Sequence, residues 1–365
     1  MKDMPTENTL EDKTQRMQQF WKREVVSRPL IGFQLHSQMR KSWLQIASGD
    51  AGEHRVLIPA MIQPEELGEG AETFYQMSLP LAHDIVWTAE PPREIPWLEG
   101  MFGCPVTISD ARLHPQPYLQ HADELAHLVL SDTHPWHQKY VACLEGLVKV
   151  SRGRYPVGQP LFPGPADILA ALMPQHTLQQ AFDESPSLMQ RFIARVTEFL
   201  INVGQEQATR LPRFYQGYMS GSFYLWCPQP CMGVQHAHFN LLSPDRYQEF
   251  FGASNRTISK AFAYMIGSIH LPTVKYIDQF LALDELKAIA LYRDSQGVSV
   301  QEMLPVMKLV QTRKPLILHG VMDKEDLDTA LQELSARGLY LLLSVETTAE
   351  AEFWWSYLLQ QSQGG

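Results

Sequence analysis

The feature that most constrains this chain is a succession of short apolar runs that recurs, with helical patterns between them, to the C-terminus. RPLIGFQLHS, DIVWTAE, RYPVGQPLF, RFYQGYM, GVQHAHF, IGSIHLPT, AIALYRD, PLILHGV and LYLLLSVE each read as a strand. Several are apolar throughout rather than alternating, which suits burial on both faces of a parallel sheet. Strand–helix alternation of this persistence predicts a closed barrel or a doubly wound sheet. No GxGxxG or GxxxxGK(S/T) follows a strand, so the nucleotide-binding version of a wound sheet has no support. The 365 residues accommodate one barrel with decorations.

Local signals divide the chain further. Residues 1 to about 28 read as an irregular tip followed by a helix ending in FWKREVVSRP. Between 37 and 80, Gly49, Gly52, Pro59 and Pro64 break periodicity and predict short helices and loops over one barrel end. PPREIPWLEGMFGCPV reads as a Pro-rich turn. Leu188, Phe192, Val196, Phe199, Leu200 and Val203 form one buried helical stripe. Ser185-Pro186 and Ser243-Pro244 place a capping hydroxyl before a proline whose missing N–H costs nothing at the first helical position. Ser299 with Glu302, and Thr347 with Glu350, have capping-box spacing. Gly338 suits a left-handed helix stop before LYLLLS. Phe353, Trp354 and Leu358 fall on one face of the last helix.

Charge and cysteine usage exclude several classes. The formal charge is −10 and no Lys/Arg block stands out, so the electrostatic footprint of a nucleic-acid binder is missing. The start, MKDMPTENTLEDKTQ, has no apolar core of a secretion signal, and no apolar stretch approaches the ~18 residues of a membrane helix. Cys104, Cys143, Cys227 and Cys231 are too few for a disulfide framework and suit a reducing compartment. A cytoplasmic enzyme without membrane or nucleic-acid partners is the expectation.

Several stretches resemble the uroporphyrinogen decarboxylase superfamily, in particular a bacterial branch related to its cobamide-dependent methyltransferases. These are FWKREVVSRPLIGF, EIPWLEGMFGCPV at 94–106, GPADILAALM at 164–173, LLSPDRYQEFF at 241–251 and SIHLPTVKYIDQFLALDELKAIAL at 268–291. The resemblance implies a (β/α)8 TIM barrel over residues 29–365, preceded by an N-terminal helical extension at 1–28, with insertions over the barrel mouth. It places the site at the C-terminal ends of the strands. Two departures bear on chemistry. The Arg-rich segment that holds propionates in the decarboxylases is replaced here by GFQLHSQMRKSW. Of the zinc-binding His-x-Cys and distant Cys of the thiol methyltransferases, only His270 remains, in His270-Leu271-Pro272.

Barrel logic selects polar side chains at strand ends. The candidate catalytic residues are His236, His238, His270, His319, Tyr218 and Glu346, because an imidazole or carboxyl there can move protons near neutrality. Candidate substrate-binding residues are Gln34, His36, Gln159, Tyr292, Arg293 and Trp226. Each has a plainer alternative: a buried core histidine, a helix-start carboxylate for Glu346, or an ion pair with Asp294 or a neighbouring helix for Arg293. GSFYLWCPQPCMG reads as an aromatic lid over the mouth or as a hydrophobic plug. Cys227, Cys231, His236 and His238 hold enough ligand atoms for zinc, but their spacing matches no recognised zinc motif, and no metal is assigned.

Three functional readings follow from the resemblance. The first is methyl transfer involving a corrinoid co-substrate or a small methylated substrate, with a corrinoid protein and a second copy of the chain as candidate partners. The second is cofactor-free decarboxylation of a tetrapyrrole or small carboxylate, with Arg293 stabilising the carbanion. The third is a non-catalytic corrinoid or porphyrin binder.

Overall fold

The computed structural model describes residues 9–35, 56–109, 112–237, 239–294 and 297–363. His36 and His238 lie outside them, as do residues 37–55 of the 37–80 stretch. Its strands are β1 (Leu30–Gln34), β2 (Val56–Leu57), β3 (Val106–Ser109), β4 (Arg112–Pro115), β5 (Leu161–Pro163), β6 (Tyr218–Ser220), β7 (Leu225–Cys227), β8 (Cys231–His236), β9 (Tyr264–Ile269), β10 (Leu286–Arg293), β11 (Leu316–Gly320) and β12 (Leu339–Ser344). Seven of them form one sheet in the order β1-β12-β11-β10-β9-β8-β5, and every pairing in it is parallel. Helices follow the strands, giving an α/β fold consistent with a TIM-like barrel.

Three sequence expectations need correction. DIVWTAE is not a regular strand: its Asp84 N–H donates to Ile31 O at 2.9 Å, and at its far end Ala89 forms an isolated parallel bridge to Val157. RFYQGYM does not join the central sheet, because β6 turns back within a few residues and pairs antiparallel with β7 as a two-stranded hairpin. Residues 64–78 are a regular helix, Pro64–Ser78. Pro64 sits at its first position, where the ring's fixed φ begins a helix rather than breaking one.

The capping signals are mostly met. Ser299 and Glu302 make the reciprocal box that opens the helix Val300–Arg313, and the Ser243 hydroxyl accepts from Arg246 N–H before the helix Pro244–Ala261. Ser185 opens the helix Pro186–Arg210 without a side-chain cap. The Thr347 hydroxyl accepts from Glu350 N–H, but the Glu350 carboxylate reaches Glu346 N–H, one residue earlier than the box requires. Gly338 has φ +65°, the left-handed stop expected of it. On the helix Thr348–Gln363, Leu358 is buried while Phe353 is 59% exposed, so the proposed common face stops short of Phe353.

The N-terminal end of the sheet is sealed. The helix Leu10–Lys22 buries Met17 and Phe20, and its Trp21 indole donates to Trp226 O while packing edge-on to Tyr264 at the start of β9. Fully buried Asp84 accepts both Arg28 guanidinium N–H groups and Ile31 N–H, with Arg16 3.5 Å away. GSFYLWCPQPCMG is therefore a plug rather than a lid. Its hairpin tip, Ser222 to Tyr224, is buried, and Phe223 O accepts from Tyr340 of β12. Ser222 touches both edge strands of the sheet: its carbonyl accepts Gln34 Nε2 of β1 at 2.7 Å, and its hydroxyl accepts Leu161 N–H of β5 at 2.8 Å. The sheet is thus curled until its two edges face each other across one residue.

Candidate active site

Side-chain alternation decides which strand-end residues reach the inner face. His270, Tyr292 and His319 do so side by side. The His270 and Tyr292 rings stack with centroids 5.0 Å apart, and Tyr292 and His319 follow at 5.2 Å. Phe223 of the hairpin tip packs edge-on to His319 from below, at 5.4 Å. Gln34 is drawn into the same end by its bond to Ser222. Four of the candidate residues are therefore brought together.

The others are not. His236 lies one position out of phase, facing the helices, where its ring meets Phe280 at 4.4 Å. Burial, and His270 nearby, push its pKa down to about 3, so it is a neutral core imidazole near pH 7. Its neighbour Gln235 takes the inward position and lies 3.4 Å from His270 Nε2. Arg293 also faces outward and pairs with Asp326 of the helix Lys324–Glu333 at 3.1 Å, the plainer of its two readings. Gln159 turns to that outer layer and donates to Gly204 O. Tyr218 and Trp226 belong to the hairpin at the sealed end, where Trp226 N–H meets Met17 Sδ and Tyr218 pairs with Cys227. Glu346 is exposed just before the last helix. Cys231 and His236 occupy opposite ends of β8, about 16 Å apart along an extended strand, so those two cannot share one tetrahedral ion. No group of three or more metal-ligating side chains occurs among the described residues.

Beside the inner row lies a cavity of about 390 Å³, within the range of small-molecule sites. Its wall combines Gln235 with residues that strand-end logic missed: Arg93, Glu94, Trp97, Glu99, Phe162 and Asp167, among others. Arg93 is flanked by Glu90 at 3.7 Å and Glu94 at 4.0 Å, and it also donates to Ser222 O. Glu90 accepts the Ser222 hydroxyl at 2.7 Å, and its burial outweighs that bond and the Arg93 charge, raising its pKa to about 7. Asp167 accepts Ala237 N–H at 2.7 Å and Phe239 N–H at 3.0 Å, fixing the chain after β8.

Glu99 belongs to the short helix Trp97–Met101, set by the Pro-rich turn. Burial, reinforced by Asp167, raises its pKa to about 7, although a bond to its own backbone works the other way. Its Oε2 is buried and has no hydrogen-bond partner. A carboxyl poised between its two forms at neutrality can give or take a proton. One sequence signal pointed here: Glu90 closes the apolar run DIVWTAE, as a strand-end carboxylate should. Glu99, on a helix after the turn, carried no such mark.

No family model matches the chain, and no curated protein matches it in sequence. Among solved structures, a methyltransferase from Methanosarcina mazei superimposes with a TM-score of 0.61 at 12% identity, over 96% of this chain and 98% of that one. A likeness of this extent at such low identity establishes a shared fold. No helix among the described residues is long and apolar enough to cross a membrane.

Proposed function

We propose that this chain is an enzyme that transfers a methyl group from a small methylated donor, bound in the cavity, to a corrinoid acceptor presented from outside. In this reading the scaffold works as a closed (β/α)8 barrel spanning 29–365, with residues 84–90 in the second strand position. The observation that carries the reading is the cavity itself. It opens beside the C-terminal strand ends, where its wall includes Glu99, a carboxyl of near-neutral pKa, Arg93 with Glu90 3.7 Å behind it, and Gln235, which lies 3.4 Å from His270 of the inner row. The likeness in fold to a methyltransferase supports it.

Charge favours this over tetrapyrrole decarboxylation. The wall sets Glu94, Glu99 and Asp167 against Arg93, whose charge Glu90 and Glu94 already balance, which is the wrong sign for a polycarboxylate. Arg293, the cation that decarboxylation would have used, is committed to Asp326. All four cysteines are buried and none lines the cavity, so a thiolate-held zinc does not fit this donor set. A reduced corrinoid supplies the nucleophile for methyl displacement. The protein's own part is to orient the donor, exclude water and handle the proton of the leaving group.

The test is a donor panel incubated with the protein and a reduced cobalamin, following methylcobalamin formation by its absorption spectrum. Methylation from at least one donor is the expected result. Carbon dioxide release from a carboxylate panel without methylation would overturn it, as would corrinoid binding with no turnover in either panel.

A further inference from the structure

Stacking fixes the plane of the His270 ring but not which of its nitrogens holds the proton. The Tyr292 ring lies against it at 5.0 Å with 30° between planes, a contact made through the ring faces. A hydrogen-bond partner at the ring edge is what decides the tautomer. Gln235 is such a partner, with its Nε2 3.4 Å from His270 Nε2. An amide nitrogen only donates, so this imidazole nitrogen accepts, and the proton of the neutral ring is then on Nδ1. Free histidine side chains favour the opposite tautomer, protonated on Nε2, so the pairing holds the less common form.

Both residues keep these places through their backbones. Gln235 O accepts Gly164 N–H, just after β5, at 2.8 Å, and Gln235 is in register with Ser268 of β9. His270 follows β9, with its N–H on His236 O at 3.1 Å and its carbonyl accepting Thr273 N–H at 2.9 Å. Alternation along β8 turns the Gln235 side chain onto the cavity wall, whereas the next residue, His236, packs on Phe280 of the outer layer. Gln235 therefore belongs both to the cavity wall and to the edge of the inner row.

We infer that Gln235 is a positioning residue: its amide keeps the ring proton of His270 on Nδ1 and leaves Nε2 as an acceptor beside the cavity. While the amide donates there, His270 has no proton to give from Nε2. It takes one at that nitrogen only when the amide turns away. His270 thus enters the reaction as a base at Nε2, and Gln235 is what sets it so.

Two readouts on the full-length protein test this, and the first needs no donor. In protein labelled with 15N-histidine, the ring nitrogens of His270 are identified by their loss in His270→Gln. Wild type at pH 8 should show Nδ1 protonated and Nε2 bare. Gln235→Met, similar in length but without the amide, should move the proton to Nε2, as should Gln235→Glu, whose carboxylate accepts from it. At 3.4 Å the bond is long, so the expected shift is modest. The His270 pKa should rise by about 0.5 unit in Gln235→Met, which loses a donor to the neutral form, and by about 1 unit in Gln235→Glu, where an anion favours the imidazolium. His236 lies behind on β8, Tyr292 and His319 follow along the row, and Arg93 is within electrostatic reach of Tyr292; these variants alter none of them. Tyr292→Phe keeps the stacked ring and should leave the tautomer in place. A wild-type ring protonated on Nε2, or a tautomer that Gln235→Met leaves unchanged, overturns the inference.

The second readout rests on the methyl-transfer reading. With any donor that methylates reduced cobalamin, the limb of the kcat/KM profile that follows His270 should move up in pH by the same amount in Gln235→Met as the measured pKa. A fixed profile beside a reversed tautomer overturns the catalytic part of the inference. If the tautomer behaves as stated and no donor methylates cobalamin, the methyl-transfer reading falls while the role of Gln235 stands.

Discussion

Asp84 and Glu99 are both acidic side chains in the interior, one at each end of the parallel sheet, and the protein treats them in opposite ways. Asp84 is saturated: two N–H groups of Arg28, the Ile31 amide and nearby Arg16 surround a carboxylate with no exposure. Glu99 has a buried oxygen with no partner and a pKa lifted to about 7. The sealed end spends its charges on holding β1 to the segment that begins at Asp84. The open end keeps charges under tension, which costs stability and leaves proton-transfer capacity in exchange. The two ends of the same strands thus differ in how completely their buried carboxyl groups are bonded.

The largest effect that would break this contrast is at Asp84. Asp84→Ala strands Arg28 in the interior and should cost about 3–5 kcal/mol in urea unfolding; a loss below about 1 kcal/mol would mean the sealed end is no better matched than the open one. Next comes Glu99. Its folded pKa is raised from 4.5 to about 7, so its contribution to stability is complete below 4.5 and lost as pH rises through 7. Relative to wild type, Glu99→Gln should therefore gain up to about 3 kcal/mol between pH 4.5 and pH 8. An unchanged difference across that range would show that the open end carries no such cost.

His236 sharpens the comparison from the acid side. Its folded pKa is depressed from 6.5 to about 3, so the stability it contributes is intact above 6.5 and drains as pH falls towards 3. By pH 5 this amounts to about 2 kcal/mol, and thermal melts of His236→Gln should show a correspondingly shallower acid limb. The smallest effect is expected away from both ends: Phe353→Ser, on an exposed face, should alter stability by less than about 0.5 kcal/mol.

The second half of the chain was legible because each strand there is a compact apolar run and each helix carries its own start signal. β11 and β12 fall within the stretches that the pattern singled out, β8, β9 and β10 overlap theirs but start two residues earlier, and Ser243 and Ser299 open their helices as their spacing required. In the first half, backbone irregularity defeats the same reasoning. The 84–90 segment makes hydrogen bonds on both sides without a ladder, and β6 turns back as a hairpin, so apolar composition alone misplaced both.

The site was legible to the same degree and for the same reason. Strand-end logic found His270, Tyr292, His319 and Gln34. It chose His236 over Gln235 because histidine looks more chemical than glutamine, although alternation along β8 turns the glutamine inward. It chose Arg293 over Arg93 because Arg93 follows a proline-rich turn with no strand to mark it. Periodicity reports which face a residue occupies only where the element is regular, and much of this cavity's wall comes from the Pro-rich turn at 93–96 and the five-residue helix that follows it.

The inserted hairpin has a consequence for how such a molecule could be re-tailored. Phe223 stands beneath His319, and Ser222 clasps both margins of the curled sheet, so the tip is a support under the inner row whose position a few side chains hold. Shortening the Phe223 side chain alone would open space beneath His319 while the Ser222 bonds to β1 and β5 stayed in place, so room under the inner row is adjustable without altering any residue that lines the cavity.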